Sequence, residues 1–433
     1  EIKLKKKVYV GLSADIIHEG HINILKIANK LGAVTVGLLT DKAVSSYKKL
    51  PHLNYKQREI IIKNIRYVSK VIPQKSLSYV DNLKSIRPQF VVHGDDWKTG
   101  IQKKTRADVI KCLKKWGGKL IEPKYTKNIS STIIKKKILE NGVSPDTRKK
   151  KLRRLIEAKD LVKIIETHSP LTGMIIEDLN LKNKSQFKEF DGMWSSSLTD
   201  SLLRGKPDNQ SVDYSSRILG LNDIMEVTTK PLIFDADNGG RLEHISYLVK
   251  TLERIGVSAM VIEDKIGEKR NSLFKDQNKT KQDTIANFCK KINKAKKSKN
   301  SDDFFIVARI ESFILKKGLK DALKRGVKYV DAGADAILIH SKEKNPKEIF
   351  DFSKKFKKLK PDCPLIAVPS TYSKVKEIEL IKNGFQIVIY ANHMLRAAYP
   401  AMINVAKKIL KNERSLEIEK KITPIKEIIN LIK

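Results

Sequence analysis

Between Gly173 and Tyr390 eight short runs of buried-type residues recur, most of them separated by stretches of helical character. The runs are Gly173–Glu177, Gly192–Ser195, Leu232–Asp235, Ala259–Glu263, Phe305–Arg309, Ala336–His340, Leu365–Val368 and Ile387–Tyr390. Short apolar runs of this kind suit strands covered on both faces. A strand–helix alternation repeated eight times predicts a (β/α)8 barrel. Nearly every chemically suggestive side chain here falls at the C-terminal end of a run, the active-site face of a parallel barrel.

Upstream the rhythm differs. Strands are predicted at Val8–Leu12, Val34–Leu39, Val68–Ile72, Phe90–His93 and Lys119–Glu122, with helices over Gly20–Leu31, Tyr55–Ile65 and Ala107–Lys115. That alternation predicts a second α/β unit, a Rossmann-like parallel sheet with helices on both faces. Residues 143–165 start with a Pro-Asp turn and continue as a basic helix-forming run, read as a linker and the first helix of the next unit. The expected organisation is 1–142, 143–165 and 166–433, and 433 residues exceed what one core normally organises. No apolar stretch approaches the ~18 residues of a membrane span. Glu1–Lys7 lacks the apolar core of a signal peptide. Cys112, Cys289 and Cys363 lie far apart with no CxxC pair, which disfavours a disulfide framework or a thiolate zinc site. The expectation is a cytoplasmic protein.

A formal net charge of +38 invites a nucleic-acid reading. The basic residues are 71 Lys and only 16 Arg, spread along the chain. Phosphate and base readers lean on the planar Arg fork, so a lysine-rich solvated surface is the preferred reading and nucleic acid is not the expected partner.

Four carboxylates end runs in the second unit: Asp235, Asp237, Glu263 and Glu311. Any one could be a helix N-cap. Together they would repel unless a cation binds, and hard oxygen ligands without His or Cys favour Mg²⁺. Lys265, Lys269, Arg309 and His340 nearby suit anionic substrate groups. The segment Glu263-Asp264-Lys265 followed by Lys269, Asn271 and Ser272 reads EDKxxxxxNS, and it resembles the signature of the phosphoenolpyruvate phosphomutase family within the isocitrate lyase-like superfamily. The resemblance runs from about Leu171 to Leu410 through WSSSL, FDADNGG, VARIES and DAILIHS. It implies that Asp235 ligates Mg²⁺, with Asp237, Glu263 and Glu311 held mostly through its waters. Ser196 and Arg309, with the Ser197 and Leu198 amides, would bind the substrate carboxylate, and Trp194 would belong to the substrate site. Asn271, Arg309 and His340 would grip the phosphoryl group, Asp208 would stand beside the transferring phosphorus, and Lys269 and Ser272 would belong to a gating loop. Ser197 departs from the family glycine, and only its backbone is expected to matter. No cysteine occupies the lyase branch's catalytic position, so C–C lyase chemistry is disfavoured. The related phosphonopyruvate hydrolases share much of the site.

In the first unit His18 and His21 stand three residues apart where a strand gives way to a helix, beside Gly20. Two imidazoles at a helix N-terminus can donate to phosphate oxygens, but the spacing alone equally suits metal ligands or capping histidines. His18-Glu19-Gly20-His21, Arg66-Tyr67-Val68, His93-Gly94-Asp95-Asp96-Trp97 and Ile129-Ser130-Ser131-Thr132 occur in the order found in the HxGH nucleotidyltransferases. They resemble in particular the glycerol-3-phosphate and ethanolamine-phosphate cytidylyltransferases. The resemblance implies that Gly11 to Asp15, Gly20 and both histidines cradle CTP phosphates and that Lys48 or Lys49 approaches the triphosphate. It places Gly94 and Asp95 near the nucleotide, with Ser131 and Thr132 donating to phosphate. The Arg-Thr-x-Gly usual before the serines is replaced by Tyr125-Thr126-Lys127-Asn128, leaving Lys127 as the substitute cation.

A cytidylyltransferase ahead of a C–P bond-forming mutase resembles the bifunctional enzymes of fosfomycin biosynthesis. That resemblance implies a 2-hydroxyethylphosphonate-like acceptor for CMP. It also implies a dimer or tetramer built through C-terminal helices, to which the amphipathic tail Leu416–Ile432 is suited.

Overall fold

A computed structural model describes residues 5–124, 143–182, 187–274, 276–277 and 279–431. In the first unit five parallel strands stand in the order Lys70–Gln74, Ala33–Leu39, Lys7–Leu12, Phe90–Val92, Lys119–Ile121. Val8 pairs with Val34 on one side and with Phe90 on the other. The chain therefore winds outward from the central strand, returns, and winds the other way. That reversal opens a crevice at the strand C-termini, the usual ligand position in an open α/β sheet. Val8, Val10, Val34, Val36 and Leu38 are buried against the Glu19–Leu31 helix through Leu25 and Ala28.

The second unit is a closed eight-stranded parallel barrel. Its strands are Val162–Glu166, Gly192–Ser195, Leu232–Asp235, Ala259–Glu263, Phe305–Ile310, Ala336–Ile339, Leu365–Ala367 and Ile387–Tyr390. Seven match the sequence expectation, and the first does not. Gly173–Glu177 is helical, part of Pro170–Asp178, because Ser169 accepts from the Thr172 amide and Pro170 stands at the first helical position. The first strand is Val162–Glu166, overlapping the end of the 143–165 stretch read as linker and helix. It pairs with Ile387–Tyr390 and with Gly192–Ser195, which closes the barrel. Val162, Ile164, Ile165 and Glu166 of this strand are all buried.

The helix before it, Pro145–Ala158, closes the barrel floor: Leu152, Leu155 and Ala158 pack with Val162, Ile233, Val261, Val307 and Leu338 of the interior. Its Arg148 is buried and donates to the Met225 and Lys230 carbonyls at 2.8 and 2.9 Å, to Thr228 Oγ1 at 3.1 Å and to the Thr228 carbonyl. The first unit docks on this floor. Leu50 joins the interior cluster, Arg154 donates to the His52 carbonyl at 2.7 Å, and Lys42 pairs with Asp160 at 2.6 Å. Adjacent residues of one turn diverge: Lys48 reaches Ser13 Oγ at 2.7 Å in the first unit, and Lys49 reaches the Glu177 carbonyl of the barrel at 3.1 Å.

The His393–Asn412 helix buries none of its residues; Tyr399, Met402 and Leu410 are 63%, 58% and 80% exposed. The tail beyond is two short helices, Leu416–Glu419 and Ile425–Ile429, rather than one, because Pro424 interrupts it. Ile432 lies outside the described residues. None of the described helices is long and apolar enough to cross a membrane.

Candidate active sites

At the C-terminal mouth of the barrel, strand ends and loops bring the expected side chains together. Trp194, Ser196, Ser197, Leu198, Asp208, Asp235, Asp237, Glu263, Lys265, Lys269, Asn271, Ser272, Arg309 and His340 all line one pocket. Ser196 caps the short Ser197–Leu202 helix, and the Ser197 amide at its start faces Asp235 Oδ2 at 3.4 Å. Asp235 accepts from Ser197 Oγ at 3.0 Å and from the Asp237 amide at 3.2 Å. Asp237 itself has φ +50°, a left-handed conformation that costs energy for a non-glycine residue and turns the chain at the strand end.

Between the short strands Lys265–Gly267 and Thr280–Gln282, residues 269–273 line the pocket. The Lys269 ammonium contacts Asp208 at 2.5 Å, Ser197 Oγ at 2.9 Å and the Asp237 carboxylate. Asn271 donates to the other oxygen of Asp208 at 3.1 Å. Ser272 donates to Glu311 at 2.6 Å and accepts from Lys265 at 2.7 Å and from Arg309 at 2.9 Å. Arg309 also pairs with Glu311 at 2.5 Å and with Glu263 at 3.3 Å. Nδ1 of His340 faces an Arg309 N–H at 2.9 Å. The same nitrogen lies 2.9 Å from a Glu311 carboxylate oxygen, so Arg309 and Glu311 together fix the ring.

The four carboxylates were expected around one cation, Asp235 as ligand and the others mostly through its waters. Among the described residues no three His, Cys, Asp or Glu side chains are grouped as metal ligands, because Lys265, Lys269 and Arg309 stand among them. Glu311 is buried behind the pocket wall, bound by Arg309 and Ser272. Burial works to raise its pKa, but Arg309, His340 and Lys265 outweigh it and hold the carboxyl well below the usual range. Burial pushes Glu263 up to about 7 against the pull of Lys265 and Arg309. Burial and the Asp235 charge raise Asp237. Asp235 is itself held low despite burial, by Lys269, Arg309 and Arg217. Asp235, Asp237 and Glu263 remain hard oxygen donors in one pocket, and a divalent cation would favour the ionised forms of the two raised groups.

Two supporting residues carried no role in the sequence reading. Arg217 donates to Asp200 at 2.8 Å and to the Asp235 carbonyl at 2.5 Å, fixing the strand end. Asp264 accepts from Tyr329 at 2.7 Å and from the Glu311 amide at 3.0 Å. Its adjacency to Glu263 was the available signal, whereas Arg217 sits within a helix with nothing to mark it.

The second pocket lies in the crevice of the five-stranded sheet, walled by Gly11, His18, Gly20, His21, Lys48 and Gly94 together with Tyr47, Tyr79 and Asp96. A Cβ on Gly11 would stand 2.2 Å from the Tyr79 ring, so the close approach requires glycine. His18 is the N-cap of the Glu19–Leu31 helix, and its amide donates to His21 Nδ1 at 3.4 Å. That contact leaves Nε2–H of His21 for a ligand. Burial, the His18 charge and the Lys48 charge lower His21 to about 3, so the ring is neutral at pH 7. Three expected residues fall elsewhere. Asp15 is buried and accepts from the His52 amide at 2.6 Å, Lys49 turns to the barrel, and Asp95 opens a 3-10 turn with Asp96 facing the pocket instead. Ser131, Thr132 and Lys127 lie outside the described residues.

Residues 152–410 match the model of the phosphoenolpyruvate phosphomutase family, and residues 9–137 match a cytidylyltransferase-like family. A phosphoenolpyruvate phosphomutase of Tetrahymena pyriformis is 36% identical over 294 residues, covering 68% of this chain and 94% of that protein. The crystal structure of the phosphomutase from Streptomyces platensis subsp. rosaceus superposes with a TM-score of 0.60 at 33% identity, covering 65% of this chain and 94% of that one. Phosphonopyruvate hydrolase in complex with oxalate and Mg²⁺ superposes with a TM-score of 0.59 at 31% identity, covering 67% and 95%.

Proposed function

This chain belongs to the phosphoenolpyruvate phosphomutase family and carries a cytidylyltransferase-like domain ahead of the barrel, and on that premise we propose that its barrel interconverts phosphoenolpyruvate and 3-phosphonopyruvate. The observation that carries the reading is the closure of Lys269 and Asn271 onto Asp208. In the forward direction the enol O–P bond breaks, a C3–P bond forms, and no proton is exchanged. The phosphoryl group must wait beside the enolate without meeting water. Ser196 and the Ser197 and Leu198 amides hold the substrate carboxylate, and Arg309 supplies positive charge to the enolate. Asn271, Arg309 and His340 hold phosphoryl oxygens while Asp208 flanks the phosphorus. The closed loop excludes water, which decides between transfer and hydrolysis. Asp235, with Asp237 and Glu263 behind it, is the place for Mg²⁺, whose chemistry when bound is Lewis-acid stabilisation of enolate and carboxylate oxygens. A ³¹P NMR time course from phosphonopyruvate and Mg²⁺ tests this reading. Phosphoenolpyruvate is expected, and inorganic phosphate as the sole phosphorus product would convert the assignment to a hydrolase.

The first domain is proposed to transfer CMP from CTP to a phosphonate such as 2-hydroxyethylphosphonate. A phosphonate oxygen attacks the α-phosphorus and pyrophosphate leaves. Neutral His21 donates Nε2–H to phosphate oxygens, and Lys48 already points into that pocket. CTP with a panel of phosphonates and phosphate monoesters, followed for pyrophosphate and a CMP ester, identifies the acceptor. Together the two reactions serve phosphonate biosynthesis in a reducing, cytoplasmic compartment, consistent with three unpaired cysteines. The exposed apolar side chains of His393–Asn412 support self-association through that helix.

A further inference from the structure

Ser197 stands where the phosphomutase pattern has glycine, and its side chain occupies a junction. Its hydroxyl is 2.9 Å from Lys269 Nζ and 3.0 Å from Asp235 Oδ2, and the residue is buried. The polarity of these bonds is forced. A protonated lysine amine only donates, so the hydroxyl accepts from Lys269 and spends its single proton on Asp235. Lys269 has three N–H groups and three acceptors here: Asp208, Asp237 and Ser197. Without the hydroxyl one donor loses its partner. The nearest Ser197 group left to Asp235 would be its backbone amide at 3.4 Å.

We propose that the Ser197 hydroxyl is a positioning group that latches the Lys269–Ser272 segment to the strand-end carboxylate Asp235. The hydroxyl adds a third tie to the two that Lys269 makes with Asp208 and Asp237. The tie joins the loop to the rigid barrel rather than to another loop, because Asp235 is the last residue of a barrel strand. The loop thereby gains residence time in the closed state, and a phosphoryl group in transit is kept from water for longer. This deepens the mutase reading and rests on it for its consequence, but not for its geometry.

The test uses the full chain and two variants, Ser197→Ala and Ser197→Gly. Both leave the Ser196 cap in place, and neither residue is foreign to a first helical position. Hydrogen exchange in the metal-free protein reads the latch directly. Amides of residues 269–274 are expected to exchange about tenfold faster in both variants, the factor of one hydrogen bond to a charged group, with the barrel strands unchanged. A ³¹P time course from phosphonopyruvate with Mg²⁺ reads the consequence: a larger fraction of phosphorus appears as inorganic phosphate. Exchange and phosphate fraction both equal to wild type in both variants would overturn the latch. A wild-type protein that yields phosphate alone would instead overturn the mutase reading, and the exchange comparison would still decide the latch.

Discussion

Acidification should weaken the first domain through His21 in particular. The imidazole titrates at about 3 in the folded chain and near 6.5 when released, so between those values the unfolded state binds the extra proton. A depressed folded pKa makes a stabilising contribution that is complete above the unfolded value and is lost as pH falls. At pH 5 the loss is about 2 kcal/mol, which for a domain of this size corresponds to a fall of ~8 °C in Tm. His21→Gln isolates the effect. His21 is the third residue of its helix and forms a capping box with His18, and glutamine is a usual partner in that motif. Calorimetry of wild type and variant at pH 7.5 and pH 5.0 gives a double difference from which the other histidines cancel. The wild type is expected to lose ~8 °C more than the variant. Equal losses would show that the folded imidazole protonates freely, which refutes the burial argument and with it the neutral Nε2–H donor. At pH 7.5 the same variant should still bind CTP but transfer CMP about 10²- to 10³-fold more slowly.

Lys269→Met and Asn271→Ala should each lower phosphomutase turnover by about 10²-fold or more, as uncovering Asp208 opens the site to water, while calorimetric Mg²⁺ affinity stays the same or tightens. Unchanged turnover in both would remove the loop from the reaction. Arg148→Met should cost the barrel about 3–5 kcal/mol in urea unfolding, because the Met225, Thr228 and Lys230 carbonyls lose a buried donor. A double Met402→Glu, Leu410→Glu variant should sediment as a monomer where the wild type does not, with phosphomutase turnover as a check on folding.

Both folds were largely legible because parallel strands buried on two faces read as uninterrupted apolar runs. Val162–Glu166 and Gly173–Glu177 show the limit of that signal: each is a short apolar run, and period alone does not separate strand from helix. The deciding residues were the Ser169–Pro170 cap and the floor contact of Leu155, of which only the first is local. The barrel site was legible because its carboxylates end strands. Lys48 and Lys49 were not separable, since neighbouring residues of a turn diverge and only packing says which enters the pocket. Arg217 and Asp264 act by hydrogen bonds to residues distant in sequence, which no spacing encodes.

The turn that carries Lys48 also makes the two enzymes inseparable by simple cutting. Leu50 fills part of the barrel floor and Lys49 ties to the Glu177 carbonyl, so the lysine facing the crevice pocket, Lys48, is braced by a different domain. A barrel released from its neighbour would show a new oily spot where Leu50 sat. A released first domain would keep its sheet but lose the brace behind Lys48, and would have to order that turn at each encounter with ligand. Gene fission in this lineage would therefore have to repair both halves at once.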